Sequence, residues 1–188
     1  MKKIMFDDRY GLTKAVLAGR KTMTRRLAKR VLVEDENMEY RWNGEFVAPR
    51  YKPDEVVAVA QSLRDMGYDP RDTKHKSGAI WGLDHTPAWT NKMFISASEC
   101  IHRIRITGVR VERLQDISDE DCFKEGIYKK TLCPPGDIEY FYHSEPRSKR
   151  EVYPSARDAF AGLIDKVSGK GTFDSNPWVF VYEFELVK

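Results

Sequence analysis

The eight residues Gly19–Arg26, GRKTMTRR, set four cationic side chains around two threonine hydroxyls with no acid among them. Arg20, Lys21, Arg25 and Arg26 in so short a run read as a site for an anionic or polar ligand, with Thr22 and Thr24 between them. The charge distribution points the same way. Net charge is only +3, yet residues 1–30 hold ten bases (Lys2, Lys3, Arg9, Lys14, Arg20, Lys21, Arg25, Arg26, Lys29, Arg30) against two acids. That segment therefore carries +8 and the remaining residues sum to −5. A cationic patch on an otherwise acidic surface concentrates phosphate-bearing ligands while the rest keeps the protein dissolved. A merely solvated basic face is the alternative that composition leaves open.

Other chemistries find little support. Cys100, Cys122 and Cys133 are odd in number and widely spaced, and His75, His85, His102 and His143 fall at no ligand spacing. Neither a disulfide framework nor a metal site is read from them, and no cofactor is expected. No apolar run approaches the ~20 residues that span a bilayer, and no signal-peptide core follows Met1-Lys-Lys, which argues against a membrane protein and for a cytoplasmic one. With 188 residues, 41% of them apolar, one domain over 1–188 is expected.

The cationic run is positioned by what flanks it. Lys3–Phe6 reads as a short strand and Asp7 or Asp8 as a cap. Leu12, Ala15 and Val16 form the apolar stripe of a helix of about three turns that Gly19 closes. Extended chain should follow through Thr22-Met23-Thr24, with the even-numbered side chains on one face. Val56–Ala60 reads as a buried strand. In Ile101–Leu114, Ile104 and Ile106 share one parity and Val109 and Val111 the other, which predicts a bulge or bend at Thr107-Gly108 and a curled sheet. Ser118 caps a short helix with Asp121 in the reciprocal position, and Glu125-Gly126 ends it. Ala159, Phe160, Leu163, Ile164 and Val167 define an amphipathic helix stopped by Gly169, and Trp178–Val187 alternates as a final strand. Segments at about 31–53, 63–91 and 128–153 are rich in turn residues and read as loop insertions, the second a long surface excursion. Strands and short helices interleave without a βαβ rhythm, so the expected class is α+β with a mainly antiparallel sheet.

LAGRKTMTRR, VRVERLQDISDEDCFKEGI and NPWVFVYEFE together resemble the ASCH domain family of the PUA-like superfamily, in particular its phage-encoded members. The resemblance covers the first 26 residues, Pro53–Ser62, Asn91–Ile127 and Pro154 to the end. It implies a small curled β-barrel flanked by short helices, with a cleft beside GRKTMTRR that binds RNA or a modified nucleoside. The chain is also distantly similar to the small bacterial N4-acetylcytidine amidohydrolases, an enzyme branch that hydrolyses an acetyl amide from cytidine. The catalytic Lys, Thr and Glu of that branch match Lys21, Thr24 and Glu125, which leaves Arg20, Thr22, Arg25 and Arg26 as ligand-binding residues. The chain departs from the family pattern where Pro53-Asp54 replaces Gly-Asp, and where Met93-Phe94 and Ala97-Ser98-Glu99 replace Met-Pro-Arg and Ala-Ser-Arg.

Such a trio is chemically sufficient. A threonine hydroxyl attacks an amide carbon if a neutral lysine takes its proton, neighbouring arginines disfavour the ammonium form, and a glutamate orients or shuttles the proton. Binding alone asks less, namely cations for phosphate and an aromatic or arginine plane for the base. The sequence leaves both readings open.

Overall fold

The computed structural model describes residues 1–28, 48–72, 82–132, 137–142 and 151–187, and the backbone of 33–34, 40–42 and 45–46. His75, Cys133 and His143 lie outside the described residues. The fold mixes α and β. Strands β1 (Lys3–Ile4), β2 (Met23–Leu27), β6 (Val56–Val59), β7 (Arg103–Arg113) and β10 (Trp178–Val187) form a five-stranded sheet in the order β1-β6-β7-β10-β2. Strands β3 (Val33–Glu34), β4 (Tyr40–Trp42) and β5 (Glu45–Phe46) form a small antiparallel sheet, and β8 (Tyr128–Thr131) pairs with β9 (Ile138–Phe141). The β1–β6 pair is parallel, whereas β6–β7 and β2–β10 are antiparallel. Among the described residues no helix is long and apolar enough to cross a membrane.

Two compact units divide the chain. The first comprises Met1–Phe6, Val56–Arg105 and Leu186–Lys188. Its core gathers Ala58, Leu63, Leu83, Ala88, Ile95 and Cys100, with Met66, Tyr68, Trp89 and Ala97 packed against them. The described parts of 63–91 thus send Leu63, Leu83 and Ala88 into the core, while Arg64, Asp65, Asp69, Pro70, Arg71, Asp84 and His85 are exposed. Their apolar residues sit on tight turns such as Leu83–His85 and Pro87–Trp89, where neither helical nor strand periodicity exposes the pattern. The Lys3 ammonium braces the next turn by donating to the carbonyls of Met93 (2.8 Å) and Ile95 (2.6 Å).

The second unit comprises Asp7–Glu55 and Ile106–Glu185. Asp7 caps only a short turn, Asp8–Tyr10, and helix α1 (Leu12–Leu17) starts separately after Gly11. The expected three-turn helix is therefore broken in two. Helix α2 (Asp119–Lys124) begins at Ser118, whose hydroxyl accepts from the Asp121 amide, and helix α3 (Ala156–Ser168) begins at Ser155 in the same way. Helix α3 buries Ala156, Ala159, Phe160, Leu163 and Ile164 and leaves Val167 exposed. The 128–153 insertion carries the β8–β9 pair, and Tyr142 beside it is fully buried.

Burial along β7 alternates from Arg103 to Thr107, and every residue from Gly108 to Arg113 is then half-buried. The alternation does end at Thr107-Gly108, yet the strand runs on through it. Gly108 has no positive φ, and a Cβ there would stand 3.4 Å from Glu183 Oε2, an ordinary contact. Strand β10 buries Val179, Phe180, Val181 and Tyr182 in succession, so both faces of its first half are covered.

Candidate functional site around strand β2

Helix α1 turns into β2 through a short hydrogen-bonded knot. Gly19 takes φ +70°, a left-handed conformation open to glycine, which lets the amides of Arg20 and Lys21 both donate to the Ala15 carbonyl. The Thr22 amide donates to the Lys124 carbonyl at 2.9 Å, fixing the start of the strand against the end of α2. Gly126 closes α2 at φ +103°, and a Cβ there would lie 3.6 Å from Lys21 Cβ. Glu125 and Lys21, far apart in sequence, are brought together by these contacts.

The pair is enclosed. Lys21 is 2% exposed and Glu125 4%, and the ammonium donates to Glu125 Oε2 at 2.5 Å and to its carbonyl oxygen at 2.8 Å. Burial lowers the Lys21 pKa below its ordinary value, Glu125 partly opposes that shift, and the like charges of Arg26 and Arg25 reinforce it. An amine in this setting yields a proton more readily than an exposed lysine does.

Arg25 has a different environment from the one its sequence context suggests. Its Nε and one terminal nitrogen donate to Glu112 Oε1 at 2.8 and 2.6 Å, and that terminal nitrogen also donates to Asp121 Oδ2 at 2.8 Å. The other terminal nitrogen reaches Glu125 Oε1 at 3.2 Å and Met23 Sδ at 3.3 Å. A guanidinium has five N–H donors, and five hydrogen bonds to four acceptor atoms engage it here, Glu112 Oε1 accepting two. Arg110 joins the network through Asp121 Oδ2 (2.6 Å), Glu112 Oε2 (3.0 Å) and Glu183. Burial works to raise the Asp121 pKa, but the hydrogen bond and charge of Arg25, with Arg110, hold it below its ordinary value.

Thr24 and Arg26 alternate with Met23 and Arg25 and so occupy the other face of β2. In register with them on β10 are Tyr182 opposite Thr24 and Phe180 opposite Arg26. Tyr51 stands edge-on to Tyr182 at 5.2 Å, and the Tyr182 hydroxyl accepts from the Arg50 amide. Thr24 is 5% exposed. Arg26 is half-buried, and burial depresses its pKa. Thr22 is also half-buried. Arg20 is exposed, with its guanidinium carbon 4.0 Å from the centre of the Tyr128 ring.

The fold thus joins Lys21, Arg25 and Glu125 directly, with Thr24 on the opposite face of the strand from Arg25. Sequence reasoning missed Glu112, Asp121 and Arg110 as partners and Tyr51, Tyr128 and Tyr182 as neighbours. Asp121 was legible only as a capping residue. Arg110 and Glu112, two apart on one strand face, were the one available sign of a charged interface. Comparison with models of known families, with curated proteins and with solved structures gives no match.

Proposed function

We propose that this chain is an ASCH-type, PUA-like module whose sheet curls as a small barrel and whose site around GRKTMTRR binds RNA or a modified nucleoside in the cytoplasm. Lys21 and Thr24 form the floor, and Arg20, Thr22 and Arg26 the rim. Arg25 organises the acids beneath the floor and makes no contact with the ligand. The observation that carries this reading is the enclosed Lys21–Glu125 pair. Burying two charges is expensive, apolar residues of similar size fill such a place at least as well, and perturbed buried ion pairs cluster at functional sites. A nucleobase offers donors and acceptors that suit an ammonium, a carboxylate and a hydroxyl, and Tyr51, Tyr182 and Phe180 supply aromatic surface on the Thr24 face.

A second reading is favoured by one specific feature, the lowered pKa of Lys21. A neutral lysine accepts the Thr24 proton, the alkoxide attacks the acyl carbon of an N4-acylated cytidine, and the same proton passes to the departing amine. Water then hydrolyses the acyl-threonine and releases the carboxylic acid. Titration of purified protein with N4-acetylcytidine, with formation of cytidine and acetate followed in parallel, separates the two. Binding without turnover, weakened by Lys21→Ala, is the outcome expected of a module. Turnover abolished separately by Lys21→Ala, Thr24→Ala and Glu125→Ala establishes the amidohydrolase, because groups acting as one unit lose rate non-additively. Absence of both binding and turnover would overturn the nucleoside reading.

A further inference from the structure

The cations of GRKTMTRR divide sharply by what holds them. Lys21 and Arg25 are buried and paired with carboxylates. Arg20 is exposed and is held by an aromatic ring. Its guanidinium lies 4.0 Å over Tyr128, and the Tyr128 ring is itself stacked on Phe141 at 5.0 Å with 12° between planes. Phe141 is buried, so the stack is rooted in the core. The backbone is fixed as well, since the Arg20 amide donates to Ala15 O at 2.9 Å. Among the described residues no acid pairs with Arg20 and no acceptor meets its side-chain N–H groups.

An arginine held by its face keeps the edge of its fork available, and that edge matches phosphate oxygens two at a time. Stacking has already removed much of the side chain's freedom, so less is lost when a ligand is gripped. Resting on the nucleoside reading above, we infer that Arg20, positioned by Tyr128, recognises a phosphate, so that the ligand is a phosphate-bearing nucleotide unit. The order along the chain supports this polarity. Lys21 is enclosed and Arg20, the preceding residue, is exposed, so a base directed inward leaves its phosphate at the surface. It also assigns work to the β8–β9 insertion, which supplies both Tyr128 and Phe141.

The phosphate can be terminal, as in a mononucleotide, or internal, as in RNA. Calorimetric titration with N4-acetylcytidine, its 5′-monophosphate and a short RNA containing N4-acetylcytidine but no terminal phosphate distinguishes these sources. The expected result is at least tenfold tighter binding of a phosphate-bearing ligand than of the nucleoside, with the preferred one naming the source. Arg20→Ala and Tyr128→Ala should each bring that ratio towards one, Arg20→Lys should restore it only in part, and Tyr128→Phe, which retains the ring, should preserve it. The salt dependence of phosphate-bearing ligands should also flatten in Arg20→Ala, because fewer counterions are released. Equal affinities in the wild type, or a ratio indifferent to Arg20→Ala, would overturn the clamp and leave the nucleoside reading standing. Failure of all three ligands to bind would overturn the nucleoside reading and the clamp with it.

Discussion

Glu125 and Lys21 form an asymmetric pair. Glu125 has two cationic partners, Lys21 at 2.5 Å and Arg25 at 3.2 Å, and Arg25 is held by Glu112 and Asp121 besides. Removing the carboxylate takes from the enclosed Lys21 ammonium its 2.5 Å counter-charge and from Arg25 one of three, while removing the amine leaves Glu125 with Arg25. Glu125→Ala should therefore cost about 3–5 kcal/mol, the range for breaking a buried pair, and Lys21→Met distinctly less. Urea denaturation of the two variants checks the order. The lowered pKa of Lys21 adds a pH signature. Between that lowered value and the ordinary 10.5, the unfolded chain holds a proton on Lys21 that the folded chain has lost, so stability from this group rises with pH across that window. Below the window Lys21 is charged in both states and its unfavourable contribution is constant. The difference in stability between wild type and Lys21→Met, measured from neutral pH to pH 10, should shift towards the wild type as pH rises. A difference independent of pH would mean that Lys21 titrates in the fold as it does in the unfolded chain.

At the scale of elements, α3 is held against the chain before it by one glycine. A Cβ at Gly162 would stand 2.7 Å from Tyr153 Cζ and 2.9 Å from Cε1. That ring cannot simply swing away, because its hydroxyl donates to Glu151 at 2.5 Å and its amide donates to Tyr140 O at 2.9 Å. Alanine inside a helix is ordinarily favoured over glycine by about 1 kcal/mol. Here the clash should dominate, and Gly162→Ala should lower stability by about 1–3 kcal/mol, the usual range for overpacking. The same change placed in a Tyr153→Ala background should recover the helical gain, which a thermal melt of the four variants will show. Glycines that end elements were readable from their position after an apolar stripe, as at Gly19 and Gly169. Gly162 was not, since its reason is a ring from a segment that reads as a loop.

At the scale of the whole molecule, the described part of 63–100 matters more than its composition suggests. Leu63 and Leu83 are fully buried in the first unit's core. Leu83→Ala should therefore cost about 2–5 kcal/mol, as large-to-small changes in a core do. A loss within about 0.5 kcal/mol in urea denaturation, the level of a surface substitution, would return this segment to the status of a solvent-exposed loop. The charge balance is likewise a property of the folded chain. A stretch that carries +8 in its first thirty residues meets Glu112, Asp121 and Glu125 from the acidic remainder, all within the second unit.

What the sequence determined alone was local. Ser118 as a cap, Gly19 and Gly126 as stops, the apolar stripe of α3 and the alternation of β7 up to Thr107 follow from hydrogen bonding and periodicity within a few residues, and no distant partner is needed to read them. The mixed α and β class followed from the order of such elements. Only the tertiary structure decided which cations of GRKTMTRR are available. Arg25 and Arg20 look alike in the sequence, yet one is enclosed by three carboxylates and the other rests on Tyr128. The physical reason is that burial and ion pairing depend on residues about a hundred positions away, which chain folding brings within a few ångströms, whereas periodicity reports only which face a residue occupies.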